Sequence, residues 1–142
     1  EDIKLKIIGE GPIYKKLKNK YVEDKIDFLG QLSNDETKSY ISLSLGVVTA
    51  TKLYEGQPTL LCEASVFNKP SIFPNTGGIS EFFPENYPLI YKQHDYLDLQ
   101  KKISMLSDKE LVENIGNSNK EYINRYLDPK SLLDQFSELI NE

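Results

Sequence analysis

Leu45-Gly46-Val47-Val48-Thr49 is followed, after a loop, by Pro58-Thr59-Leu60-Leu61-Cys62-Glu63-Ala64-Ser65-Val66-Phe67, then by Asn68-Lys69 and Pro70-Ser71-Ile72-Phe73-Pro74. The first run is apolar on both faces, as expected for a strand in the middle of a parallel sheet. The second reads as a helix starting at Pro58, because a proline at the first helical position gives up an N–H that has no acceptor there anyway. The third is a further strand. A strand, a helix and a strand on short connections form a parallel crossover unit.

The same alternation runs outward in both directions. Leu5-Lys6-Ile7-Ile8 is a short strand that breaks at Gly9-Glu10-Gly11-Pro12. A helix follows with Ile13, Leu17 and Tyr21 on one stripe and lysines opposite. Ile26-Asp27-Phe28-Leu29 is a strand closed by Gly30, and Ser33 or Asn34 caps the next helix, with Glu36 placed to complete a capping box with Ser33. Downstream, Asn75-Thr76-Gly77-Gly78 is a turn, Ile79 to Phe83 a short helix, and Pro88-Leu89-Ile90-Tyr91 a last strand. From Tyr96 the pattern is helical, with breaks near Ser107-Asp108 and Asp128-Pro129. The expected fold is α/β: one doubly wound, Rossmann-like parallel sheet with a helical C-terminal stretch, over residues 1–142 as a single domain.

Composition narrows the function. Hydrophobic residues at 39% with nine Tyr and six Phe can build a core, and no apolar run reaches the ~18 residues that cross a bilayer as a helix. The formal charge of -5, with Arg125 the single arginine, disfavours nucleic acid, whose binders gather basic residues. Lys15, Lys16, Lys18 and Lys20 lie around the exposed side of one short helix; they read as a solvated face, with a weak contact to an anionic membrane surface left open. One cysteine, Cys62, and one histidine, His94, exclude an internal disulfide, a multi-cysteine zinc site and a His-paired metal site. His94 reads as a surface loop residue. No Asp-x-Asp pair occurs, so no protein-held metal is expected.

In a doubly wound sheet, ligands bind beyond the carboxyl ends of the strands. The loop before Pro58 is therefore the place to look. The first-turn amides of that helix, with Gly56 permitting close approach, make an anion site that suits a diphosphate. Glu63 sits in a helix apolar nearly all round, so a buried carboxylate is expected that needs donors or a cation. It is either one half of a structural pair or an acceptor for a vicinal diol such as a ribose. Glu55, at the mouth of the same loop, is either solvated or faces a bound sugar, where it stabilises oxocarbenium-like charge. Gly77-Gly78 and Gly9-Glu10-Gly11-Pro12 are either tight turns or close-approach backbone for the same ligand.

Taken in order, Ile7-Ile8-Gly9-Glu10-Gly11-Pro12, Phe28-Leu29-Gly30, Glu55-Gly56-Gln57-Pro58, Leu61-Cys62-Glu63-Ala64, Asn68-Lys69-Pro70 and Gly77-Gly78-Ile79-Ser80-Glu81 resemble the C-terminal, donor-binding half of GT-B glycosyltransferases of retaining family 4, the glycosyl transferases group 1. Glu55 and Glu63 have the spacing of that family's E-x7-E motif. The resemblance implies that Glu63 binds ribose hydroxyls and Glu55 contacts the donor sugar as the catalytic carboxylate. The backbone of Gly56, Gln57, Pro58, Thr59 and Leu60 holds the diphosphate. Leu29 and Gly30 meet the base, and Gly9, Gly11, Gly77 and Gly78 line the cleft. It also implies no cofactor besides a nucleoside-diphosphate sugar as substrate, and no metal.

Two departures stand out. Gln57 replaces the aromatic residue usual in the loop, and no residue here matches the Arg and Lys that the family places on an earlier loop. The expectation is thus a fragment, lacking an acceptor-binding N-terminal domain and inactive alone. It would come from an enzyme of cell-surface polysaccharide or glycolipid synthesis, cytoplasmic or peripheral at the cytoplasmic face of a membrane, with a glycan or lipid-linked acceptor. A GT-B-like nucleotide-sugar epimerase and a non-catalytic nucleotide-binding module are the alternatives.

Overall fold

The computed structural model describes residues 3–140. They form β1 (Leu5–Ile8), α1 (Tyr14–Lys20), β2 (Ile26–Gly30), α2 (Asn34–Leu43), β3 (Val47–Val48), α3 (Thr59–Val66) and β4 (Ser71–Pro74). A single 3-10 turn, Ile79–Phe82, precedes β5 (Ile90–Tyr91), α4 (Tyr96–Met105), α5 (Lys109–Tyr126) and α6 (Pro129–Ile140). The chain gathers into two compact units, one reaching to Tyr40 and one beginning at Ile41.

In the first unit β1 pairs with β2 in parallel, Leu5 opposite Ile26 and Ile7 opposite Phe28. Tyr14 of α1 meets Phe28 edge-on at 5.9 Å and its hydroxyl donates to Phe28 O at 3.3 Å, which ties the helix to the strand. Ser33, not Asn34, caps α2. Its N–H and Oγ–H donate to Glu36 Oε2 at 2.8 and 2.7 Å, and Glu36 N–H returns to Ser33 Oγ at 3.3 Å. The Ser33 hydroxyl, then its backbone N–H, hold the Glu36 carboxyl below its ordinary value.

In the second unit the parallel order is β3-β4-β5. All four residues of β4 are buried, and its two-sided apolar pattern is that of a middle strand. The strand expected over Leu45–Thr49 is shorter: β3 is Val47–Val48, paired with Ser71 and Ile72, and Thr49 N–H donates to Ile72 O at 2.9 Å. Phe73, Phe83 and Tyr87 form an aromatic cluster in the core, with ring centroids 4.6 to 5.5 Å apart, and Leu61, Ile72, Ile79, Leu89 and Ile123 are fully buried too. The helical stretch breaks where expected. Asp95, Asp108 and Asp128 each accept an amide at the start of α4, α5 and α6, from Asp98, Leu111 and Ser131.

Tyr87 fastens α5 to the strands, its hydroxyl oxygen accepting from Ser71 N–H at 2.8 Å and from Asn119 Nδ2 at 3.1 Å. Burial pushes this phenol from an ordinary 10 up to about 12, against the pull of those two donors. The folded state therefore holds the proton more tightly than the unfolded chain. The stability this confers is complete below about pH 10 and is lost as pH climbs towards 12. Urea midpoints should fall by the equivalent of ~2–3 kcal/mol across that window on this account, and Tyr87→Phe should flatten the fall. An identical alkaline slope in the variant would show that other groups carry it.

Candidate functional site

In the second unit the loop after β3 and the turn after β4 meet beyond the carboxyl ends of those strands. Gly78 N–H donates to Glu55 O at 3.0 Å. Gly77 has φ 61°, and a Cβ there would overlap the Glu55 carbonyl and lie 2.9 Å from Glu55 N, so only glycine lets the two backbones touch. Across Gly78 lie Gly56 O and the Glu81 carboxylate, the latter 3.3 Å from where a Cβ would stand. The turn thus seats the Glu55-Gly56 segment directly.

The loop feeds α3, and here one expectation shifts by a residue. Pro58 is the N-cap, with φ -84° and ψ 82°, and the helix begins at Thr59. The buried Pro58 carbonyl accepts from Leu61 and Cys62 N–H at 3.0 Å each, and Thr59 N–H turns back to Gln57 O at 3.1 Å. Among the described residues the amides of Gly56, Gln57 and Leu60 meet no acceptor. These are free donors at the positive end of a helix.

Glu63 needs a correction. The helix, apolar nearly all round, predicts a buried carboxylate, yet α3 keeps one side open. Leu60 is 41% and Val66 47% exposed, and Glu63 between them is half-buried. The opposite side, Leu61, Cys62, Ala64 and Ser65, is closed against the core. Apolar composition concealed the difference, because Leu60 and Val66 are as hydrophobic as the residues behind them. The Glu63 carboxylate makes no hydrogen bond or ion pair to another described residue, so the structural-pair reading finds no partner. Its charge, after the larger effect of burial, helps push the neighbouring Cys62 thiol up to about 11. That thiol is core packing, protonated at neutral pH. Glu55 is likewise half-buried with its carboxylate unpaired among the described residues.

In the first unit the strand ends converge in the same manner. Gly9 N–H donates to Gly30 O at 2.8 Å, and both glycines take positive φ, 110° and 71°. The Glu10 carboxylate stands 3.1 Å, and the Tyr14 hydroxyl 3.6 Å, from where a Gly30 Cβ would be. Leu29 is half-buried beside them, and Gly11 opens the turn into α1, accepting from Tyr14 N–H at 3.0 Å. The structure therefore brings Gly9, Leu29 and Gly30 together in one unit. In the other it brings together Glu55 to Leu60, Gly77 and Gly78, with Glu63 one turn into α3. Sequence reading missed the Glu81 side chain over Gly78, although Glu81 closes the quoted Gly-Gly segment. His94 is exposed in the loop after β5, as expected, with φ 68°. Among the described residues no three His, Cys, Asp or Glu cluster as metal ligands, and no helix is long and apolar enough to cross a membrane.

Parallel strands, covering helices and glycine turns at the strand ends define the Rossmann-like half of a GT-B glycosyltransferase fold. Residues 1–122 match the family described as glycosyl transferases group 1, and the chain belongs to that family. It is 29% identical over 130 residues to the uncharacterized glycosyltransferase MJ1178 of Methanocaldococcus jannaschii, a match covering 88% of this chain and 37% of that protein. Among solved structures it is similar to the sucrose-phosphate synthase tll1590 of Thermosynechococcus elongatus (TM-score 0.79, 21% identity, 97% of this chain and 38% of that one). It is similar too to Anabaena Alr3699/HepE, solved in complex with UDP and glucose (TM-score 0.76, 13% identity, 97% and 40%). At those identities the likeness shows the fold, and the chain spans well under half the length of each of these relatives.

Proposed function

We propose that this chain is the donor-binding part of a glycosyltransferase that moves a sugar from a nucleoside-diphosphate sugar to a hydroxyl acceptor with retention of configuration. The observation that carries this is the unpaired Glu63 carboxylate on an open apolar stripe of α3, one turn from amides that have no acceptor. A carboxylate accepts both hydroxyls of a ribose, while free amides at a helix start hold a diphosphate. A relative by fold binds UDP and glucose. In this reading the amides of Gly56, Gln57 and Leu60 stabilise the leaving diphosphate, and Glu55 faces the donor sugar as an electrostatic group. Gly77 and Gly78 hold that segment in place, and Leu29 and Gly30, lined by Gly9 and Gly11, receive the base. Gln57, where the family usually has an aromatic ring, bears on the choice of sugar. The acceptor, a glycan or lipid-linked precursor of cell-surface polysaccharide or glycolipid, is bound by a further domain, so the chain alone turns over no sugar. It uses no protein-held metal and no cofactor, and is cytoplasmic or peripheral at the cytoplasmic face of a membrane.

The test is an NMR titration of the chain with UDP, GDP and their sugars. Shifts should concentrate at Gly56 to Glu63 and at Leu29-Gly30, and the responding nucleotide identifies the base. Glu63→Gln should weaken binding ~10- to 100-fold, the range for losing hydrogen bonds to a charged acceptor. Saturable binding that ignores Glu63→Gln would remove the ribose role from this residue.

A further inference from the structure

We propose that Tyr122 of α5 is a positioning residue for the Glu55 segment, acting through the Gly77-Gly78 turn. Its hydroxyl donates to Glu81 O at 2.9 Å. Glu81 N–H donates to Gly78 O at 3.1 Å, and Gly78 N–H donates to Glu55 O at 3.0 Å. Three hydrogen bonds thus run in series from a helix 41 residues away in sequence from Glu81 to the carboxylate-bearing loop. No local pattern in the sequence marks this connection.

The loop depends on it. Among the described residues, Glu55 O is the one atom of residues 50–57 that bonds to a part of the fold other than the loop itself and the adjoining start of α3. The contact has no slack, because the Glu55 backbone lies where a Gly77 side chain would be. A displacement of the turn must therefore pass to Glu55, as close-packed backbones transmit strain rather than absorb it. The turn in turn is held on α5 from two sides. Tyr122 stacks on Tyr126 at 5.6 Å with the rings 13° from parallel, and Tyr126 meets Phe82, the last residue of the 3-10 turn, edge-on at 5.4 Å. The Arg125 guanidinium lies 6.0 Å over the Tyr122 ring. The rings fix where the hydroxyl points, and the hydroxyl fixes the Glu81 carbonyl.

The tether is a property of the fold; its effect on donor binding rests on the reading above. The experiment uses Tyr122→Phe, which keeps the ring stack and removes the donor, with Tyr126→Phe as control, since no hydrogen bond reaches the Tyr126 hydroxyl among the described residues. Amide hydrogen exchange is followed by NMR in both variants, and each is titrated with the nucleotide sugar that binds the wild-type chain. In Tyr122→Phe the Gly78 N–H should exchange several-fold faster while β4 amides keep their rates. Donor affinity should drop about threefold to tenfold, with the thermal midpoint within about 2 °C of wild type. Tyr126→Phe should change neither. Unaltered Gly78 exchange in Tyr122→Phe overturns the tether. Faster exchange with undiminished donor affinity leaves the tether as structure only and overturns the positioning role. A wild-type chain that binds no nucleotide sugar removes that role with the donor reading, while the exchange rates still decide the tether.

Discussion

Gly77→Ala is expected to abolish or weaken nucleotide-sugar binding at least ~tenfold while the core around β4 stays packed. The backbone at this position has φ 61°, where an alanine is disfavoured by ~1–2 kcal/mol. The larger effect is steric. The added Cβ would overlap the Glu55 carbonyl oxygen and approach Glu55 N to 2.9 Å, and both are backbone atoms that cannot swing aside. Turn and loop must separate, which breaks the Gly78 N–H to Glu55 O bond and scatters the amides of Gly56 and Gln57 from Glu55. Calorimetric titration with the nucleotide sugar reads the loss, and near-ultraviolet circular dichroism reports whether Phe73, Phe83 and Tyr87 keep their packing. An affinity within about twofold of wild type would separate the Glu55-Gly77 contact from ligand binding.

Gly116→Ala carries the largest expected effect on stability. In an exposed helix this change gains roughly 1 kcal/mol, because glycine is a poor helix former. Here the sign reverses. Gly116 is buried where α5 crosses the end of α3, and a Cβ would overlap the Asn68 carbonyl oxygen and lie 2.7 Å from its carbon. Asn68 has little freedom to retreat. It holds φ 57°, its Nδ2 donates to Asn117 Oδ1 at 2.6 Å, and Lys120 Nζ donates to its Oδ1 at 3.0 Å. The helices must part, and a loss of ~2–4 kcal/mol is expected, read as a lower urea midpoint. A midpoint equal to or above wild type would overturn the steric account of the α5–Asn68 contact.

The alternation of elements was legible because the strands are short apolar runs, three of them (β1, β2 and β4) ended by Gly9, Gly30 and Pro74, and because Ser33 and Pro58 mark helix starts. Ser33 and Glu36 act within a turn of the chain, so their spacing is sufficient to read them. Boundaries moved where pairing decides. Leu45 and Thr49 lie outside β3, and Pro58 caps α3 instead of opening it, because hydrogen-bond partners come from other segments. In the site, the residues of the Glu55 loop and the Gly-Gly turn could be singled out from motif spacing, whereas their mutual contact could not. Glu63 shows the limit most plainly: its helix is apolar nearly all round, but Leu61, Cys62, Ala64 and Ser65 are buried while Leu60 and Val66 are exposed.

The sequence by itself determined the α/β class and the parallel alternation, which rest on periodicity, and a motif series in order along the chain carried the resemblance to the family it belongs to. Tertiary structure decided which side of α3 stays open, that Glu55 and Gly77 share one backbone contact, and that Tyr122 reaches the turn. Those are distances between segments far apart in the chain. They arise from close packing and from hydrogen bonds whose partners no local pattern encodes.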